Sequence, residues 1–227
     1  NAIVGFTALA MTHLEKKELV EDYLQKIMTS GNHLLSLIND ILDMSRIESG
    51  KMHLDEKPCS LSEVIHGLRN IIQADVNSKQ LDLFMDTVGI IDEEVICDKL
   101  RLNQVLLNLL SNAVKYTPAG GVVSLRVIEK PFPDENKANY RFIIKDTGIG
   151  MSGEFISRIF EPFERERNST ISRTQGTGLG MAITKNIVDM MNGTIEVKSR
   201  QNEGTEVTVS FDFSIDTDAR KPRPIPK

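Results

Sequence analysis

Residues 14–48 carry apolar side chains at steps of three and four: Leu19, Val20, Tyr23, Leu24, Ile27, Leu34, Ile38, Ile41 and Leu42. Glu, Lys, Asp and Asn fill much of the remainder, and the pattern predicts one long amphipathic helix. Ser49-Gly50 closes it, with Gly50 in the C-cap place. Residues 1–12, with Ile3, Val4, Phe6 and Leu9 on one side, read as the end of an earlier helix. A helical hairpin of this size cannot bury its stripe alone. It must dock on the rest of the chain or on another copy, and dimerisation through a helical bundle is the expected solution.

From Pro58 the pattern changes. Ser60-Leu61-Ser62-Glu63 resembles a capping box that opens a helix to about Ser78. Residues 81–86 and 93–97 read as strands, and Asp98 caps a second helix through Lys115. Residues 122–129 and 140–145 are β-rich, the latter running straight into Asp146-Thr147-Gly148-Ile149-Gly150. A short helix near 153–159, a polar stretch from Glu161 to Gln175 and a third helix over 179–191 follow. A hairpin of 194–199 and 205–213, turning at Asn202-Glu203-Gly204, ends the pattern. This mixture predicts an α+β fold, a two-layer α/β sandwich with helices on one face of a sheet, preceded by a helical hairpin arm.

Composition narrows the classes. Of 227 residues 40% are hydrophobic, enough for a core and too many for general disorder. The longest apolar runs, such as Val105-Leu106-Leu107, are too short to span a bilayer. Asn1-Ala2-Ile3-Val4 has neither a secretory leader nor a starting Met, and reads as an internal beginning. Twenty-seven Lys and Arg against 32 Asp and Glu leave a net charge of −5, which argues against a nucleic-acid footprint but not against a phosphate ligand. Cys59 and Cys97 show no paired spacing and read as isolated, reduced thiols.

Three segments carry chemistry. Asn108, Asn112 and Lys115, spaced by four and three, fall on one helical stripe. Amide oxygens bind a hard cation and an ammonium neutralises phosphate, although the same stripe also reads as an ordinary solvated face. Asp146-Thr147-Gly148-Ile149-Gly150 offers a carboxylate that accepts from an exocyclic amine, beside glycines that let backbone approach a flat ligand. That arrangement selects adenine over guanine, and it reads equally as an Asp-Gly turn. Gly176-Thr177-Gly178-Leu179-Gly180 opens the third helix, where free amides and the helix dipole favour an anion; a plain flexible turn is the other reading. The stretch Glu161–Gln175 reads as a lid.

The order of these segments closely resembles the sensor histidine kinases: Asn108…Asn112…Lys115-Tyr116, Asp146-x-Gly-x-Gly, Phe160-Glu161-Pro162-Phe163, Gly176-x-Gly-x-Gly, then Gly204-Thr205. Ser30-Gly31-Asn32-His33-Leu34-Leu35 and Ile38-Asn39-Asp40-Ile41-Leu42-Asp43 resemble the second helix of their dimerisation and histidine-phosphotransfer domain. The resemblance implies a Bergerat-fold, HATPase-type ATP-binding domain over 58–214, a hairpin remnant over 1–52 and a linker or tail over 215–227 with Pro222, Pro224 and Pro226. It implies ATP and Mg2+ as ligands, with Asn112 on the metal and Asn108 and Lys115 at the phosphates. Tyr116 would line the nucleotide, Asp146 would hold the adenine amine, and Thr205 would help through water. Gly148, Ile149, Gly150, Gly176, Thr177, Gly178, Leu179 and Gly180 would supply backbone contacts. Phe160 and Phe163 would anchor the base of the lid, while Arg165, Arg167 and Arg173 are weaker candidates for the γ-phosphate.

ATP-hydrolysing relatives carry a Glu general base where this chain has Asn108, and an amide cannot take a proton from water. The implied reaction is therefore phosphoryl transfer to histidine. Relatives place the acceptor in a His-acidic-x-Arg-Thr-Pro-type segment just before the sequence matching Asn1-Ala2-Ile3-Val4, so the chain is expected to bind ATP without phosphorylating itself. His13, His33, His53 and His66 lack that context. Implied partners are a second copy through the helical arm and a response-regulator receiver domain, in cis or in trans, with no nucleic acid and no membrane contact by this segment. The implied place is the cytoplasmic portion of a membrane-associated or cytosolic sensor. A nucleotide-binding regulatory module without transfer, a serine kinase of the same superfamily and an ATPase are the other classes.

Overall fold

The computed structural model describes residues 2–134, 136–166 and 177–217. The chain divides into two compact units, Asn1–Met52 and His53–Lys227.

In the first unit α1 (Ala2–Thr12) packs on the start of α2 (Lys17–Glu48). Phe6 stacks on Tyr23 at 6.1 Å, and Lys26 lies 5.4 Å over the Phe6 ring. The expected helix over 14–48 begins only at Lys17. Residues 13–16 form the turn between the helices, where His13 Nδ1 bonds to Leu9 O at 2.9 Å and Lys16 N donates to His13 O. The C-terminal end is as expected: Gly50 N donates to Ile47 O and Lys51 N to Arg46 O, which satisfies the last carbonyls. None of α2 is buried within the unit. At 1.5 Å per residue α1 covers about a third of its length.

The second unit runs β1 (Lys57–Ser60), α3 (Leu61–Ser78), β2 (Asp82–Val88), β3 (Glu94–Cys97), α4 (Lys99–Tyr116), β4 (Val122–Pro131), β5 (Lys137–Asp146), α5 (Gly153–Ile156), α6 (Gly180–Met190), β6 (Thr194–Arg200) and β7 (Gly204–Ile215). Its seven-stranded sheet has the order β1-β3-β7-β5-β4-β2, with β6 also paired to β7; β2 and β4 are parallel and the other pairs antiparallel. Alternation places Ala138, Tyr140, Phe142 and Ile144 of β5 with Val207, Val209, Phe211 and Phe213 of β7 on the covered face. Leu102, Val105, Leu106, Leu109 and Leu110 of α4, Val64, Leu68 and Ile72 of α3, and Ile183 and Ile187 of α6 complete that core. The two-layer expectation holds.

Four local readings change. β1 is a strand the pattern missed, because four residues ending in a helix cap give no alternation to read. The capping box at Ser60 does not form: Ser60 Oγ bonds to Ser62 Oγ, and Glu63 reaches Lys99 at 2.9 Å. α4 extends to Tyr116, and β7 to Ile215, past the expected ends. Cys59 and Cys97 are not isolated; β1 pairing to β3 makes them buried neighbours. Asp98 does cap α4, its Oδ1 accepting from Arg101 N at 3.0 Å, while Oδ2 accepts from Asp55 N.

Candidate functional site

Asp146 is the last residue of β5, and the alternation that buries Ile144 also turns its carboxylate to the covered face. It is 8% exposed. Oδ1 accepts from Gly148 N at 2.8 Å and from Thr205 N at 3.3 Å, so both of its hydrogen bonds to described residues fall on one oxygen. Burial holds the carboxyl above its ordinary value, and the two amides oppose this only in part. A carboxylate fixed by backbone at one oxygen can accept a ligand's amine at the other.

The loop after Asp146 is pinned on two sides. Ile149 N donates to Tyr116 O at 3.3 Å, and Ile149 O accepts from Asn202 N at 2.7 Å. A Cβ at Gly148 would stand 2.6 Å from Asp146 Oδ1 and 2.7 Å from Tyr116 O. At Gly150, φ is +61° and a Cβ would collide with the Arg200 carbonyl. Thr205 stands opposite Asp146 in the β5–β7 register. Its hydroxyl shares a 2.8 Å hydrogen bond with Ser199, which also accepts from Met151 N at 2.9 Å. Ser199 was not singled out in the sequence. Its position follows from the hairpin, since a turn at 202–204 sets Ser199 against Thr205.

Asn108 and Asn112 of the α4 stripe turn toward α6 and are part-buried. Asn108 Nδ2 donates to Thr184 Oγ1 at 2.8 Å, and its Oδ1 lies 2.5 Å from where a Cβ on Gly180 would stand. Asn112 Nδ2 points at Met181 Sδ, 3.7 Å away. Lys115 Nζ sits 5.0 Å over the Tyr116 ring, and burial, then the charge of Arg165, hold its ammonium below its ordinary range. Burial pushes the Tyr116 phenol up. Lys79, which no motif marks, donates to the carbonyls of Val114, Lys115 and Thr117 at 2.9, 2.7 and 3.1 Å. It thereby caps the end of α4 from which Lys115 and Tyr116 project.

Leu179, at the N-cap of α6, supplies no side-chain cap; its N donates to Thr177 Oγ1 at 3.1 Å, and Leu179 is buried. Gly178 O accepts from Phe163 N at 2.9 Å. That bond fastens the base of the polar stretch through backbone, because the Phe163 side chain, expected as an anchor, is 70% exposed. Glu166 does what Phe163 does not: its Oε1 accepts from Ser152 N at 3.0 Å and from Gln201. Arg167, Arg173, Gly176 and the rest of residues 167–176 lie outside the described residues, as does the proline-bearing segment from 218 onward.

Asp146, Gly148, Ile149, Gly150 and Thr205 thus form one cluster, and Tyr116 joins it to the α4 stripe. Among the described residues no three His, Cys, Asp or Glu side chains are grouped to hold a metal ion. No described helix is long and apolar enough to cross a membrane.

Residues 97–215 match the family described as histidine kinase-, DNA gyrase B- and HSP90-like ATPase, and residues 1–50 match the His Kinase A (phospho-acceptor) domain. The chain is 40% identical over 220 residues to the non-motile and phage-resistance protein of Caulobacter vibrioides, covering 95% of this chain and 25% of that protein. It is 36% identical over 211 residues to the autoinducer 2 sensor kinase/phosphatase LuxQ of Vibrio parahaemolyticus, covering 93% and 24%. It therefore spans about a quarter of the length of these relatives. The crystal structure of full-length ShkA in complex with AMPPNP superposes with a TM-score of 0.71 at 28% identity, covering 87% of this chain and 39% of that one.

Proposed function

The chain belongs to the histidine kinase-, DNA gyrase B- and HSP90-like ATPase family, and from that premise we propose that it is the catalytic core of a sensor histidine kinase, binding Mg-ATP and passing the γ-phosphoryl group to a histidine. The observation that carries this reading is the buried Asp146 carboxylate, held by Gly148 N and Thr205 N on one oxygen and joined through Tyr116 to the Asn108–Asn112–Lys115 stripe. The adenine amine meets Asp146; Gly148 and Gly150 leave room for the ring; the phosphates lie toward α4 and the start of α6. The domains of the proposal are 1–52 for the helical arm, 58–214 for nucleotide binding and 215–227 for a linker.

The site fits magnesium through the chemistry of its donors. Asn112 turns its Nδ2 to Met181, and its amide oxygen would hold the ion. Magnesium bound there would neutralise charge on the phosphates. Lys115 places a second positive charge beside them, and desolvation strengthens its pull. Asn108 orients through Thr184 and Gly180 and accepts no proton, so water is not activated. An imidazole nitrogen attacks with its own lone pair: the N–P bond forms as the P–O bond to ADP breaks.

The acceptor in this proposal is a separate helix segment and none of His13, His33, His53 or His66. The uncovered apolar stripe of α2 supports a homodimer, and a receiver domain is the proposed recipient of the phosphoryl group. A cytoplasmic site of action follows from that chemistry. The test incubates the chain with γ-labelled ATP, magnesium and a peptide carrying the family's acceptor helix. Label that is acid-labile and confined to the peptide's histidine is the expected result; nucleotide binding without such label would leave a binding module in its place.

A further inference from the structure

Cys59 lies on β1 and Cys97 on β3, and the antiparallel register sets Cys59 opposite Val95 and Lys57 opposite Cys97. Side chains two positions apart share a face of the sheet, so the cysteines are diagonal neighbours on one face. That face is the covered one: they are 3% and 1% exposed. Cys59 Sγ donates to Ser60 O at 3.9 Å, so the two thiols sit in different surroundings. The neighbouring Cys97 holds the Cys59 thiol below its ordinary range, against burial and with help from Lys99, while Cys59 and burial push Cys97 up.

We propose that Cys59 and Cys97 form a modification site for a two-electron oxidant of the peroxide class, which closes them into a disulfide between β1 and β3. Cys59 attacks first. Its thiolate sulfur bonds to one oxygen of hydrogen peroxide, the O–O bond breaks, and the departing hydroxide takes up a proton to become water. Cys97 sulfur then attacks the Cys59 sulfenic sulfur; the S–O bond breaks and hydroxide leaves with the Cys97 proton as a second water. Two thiols and one peroxide give one disulfide and two waters, with sulfur oxidised and peroxide oxygen reduced.

Access and reversibility both follow from position. β1 has four residues and stands at the end of the strand order beside β3. Short edge elements open at a fraction of the free energy of global unfolding, which admits a small oxidant to sulfurs that the closed sheet covers. A diagonal pair stands just beyond the usual span of a disulfide, so closure requires β1 to shift across β3 and leaves a bond that thiol reductants reopen. Cys97 adjoins Asp98, the cap of α4, and the bridge therefore forms at the root of the helix that carries Asn108, Asn112 and Lys115.

The test treats the reduced, native chain with a few equivalents of hydrogen peroxide, then denatures and alkylates it for mass spectrometry. The expected product is lighter by two hydrogens and takes no alkyl group. It yields one peptide pair joining Cys59 to Cys97, and dithiothreitol restores both thiols. In Cys97→Ser, Cys59 is expected to stop at sulfenic acid and be trapped by dimedone; in Cys59→Ser, Cys97 is expected to remain alkylatable. Two alkylatable thiols after treatment of the unsubstituted chain, sulfinic acid without a bridge, or bridges only between chains would overturn the proposal. The readout on the unsubstituted chain does not depend on how the variants fold.

Discussion

Leu102, Leu106 and Leu110 of α4 are completely sealed from solvent, whereas Leu24, Ile38 and Leu42 of α2 stand about half exposed. Yet the two helices carry the same leucine-rich spacing of three and four. The difference lies in what each meets within its own unit. α4 lies against the sheet, α3 and α6; α2 has only α1, a third of its length. An amphipathic stripe thus states that a helix must be covered and leaves open by what. In one unit the cover is the chain's own sheet, and in the other the proposed cover is a second copy.

The largest effect expected from this contrast is on stability. Phe142→Ala removes a fully buried ring that packs on Phe211 and is expected to cost about 3–5 kcal/mol. Leu42→Ala in α2 is expected to change the unfolding of the His53–Lys227 unit by under about 0.5 kcal/mol. Its effect should be on self-association, read by sedimentation velocity across a concentration series. Denaturant unfolding followed by circular dichroism would break the comparison if both substitutions shifted the midpoint alike.

Next comes Lys79→Met. The ammonium holds three carbonyls at the end of α4, and burial already keeps it below its ordinary range. Losing hydrogen bonds to a charged donor is expected to cost about 1.5–3 kcal/mol and to weaken ADP binding through Tyr116. Unchanged ADP affinity at reduced stability would confine Lys79 to the scaffold.

Asp146→Asn addresses the site alone. It exchanges an acceptor oxygen for a donor amide, and ADP affinity is expected to fall about 10- to 100-fold in calorimetry, the equivalent of one charge-assisted hydrogen bond. The same carboxyl gives two pH dependences of opposite sign. Burial raises it from its ordinary 3.8, so the folded unit binds the proton more tightly than the unfolded chain. Its stabilising contribution is full below the ordinary value and is lost as pH rises through the raised one. Nucleotide affinity runs the other way, because the carboxylate accepts the adenine amine more strongly than the acid does. Melts and ADP titrations from about pH 4 to 7 should show both trends, and Asp146→Asn should flatten both.

Much of the second unit was legible because its strands alternate cleanly and its helices carry strong stripes. The covered face of β5 can be read from Ala138 to Ile144 two residues at a time, and the same count delivers Asp146 to the site. Long-range partners were not legible. Lys79 reaches α4 from the end of α3, and Glu63 abandons its own helix start for Lys99, each by a contact that no local spacing encodes. The cysteines were misread for the same reason: only the pairing of β1 with β3 brings positions 59 and 97 together. Thr184 and Met181 were passed over because an ordinary helix face shows nothing until the helix opposite it is known.

The smallest expected effect compares two helix starts that look alike in sequence. Asp98 and Ser60 both hold the residue types favoured before a first turn, and both have extended backbone. Asp98 caps, accepting from Arg101 N and also from Asp55 N. Ser60 makes no cap bond, because its hydroxyl is taken by Ser62 while Leu61 N donates to Glu93 O. Asp98→Ala is therefore expected to cost about 1 kcal/mol or more, since a cap and a loop anchor are lost together, and Ser60→Ala only a few tenths. Equal costs in paired thermal melts would mean that residue type at the cap position decides stability, and that these hydrogen bonds do not.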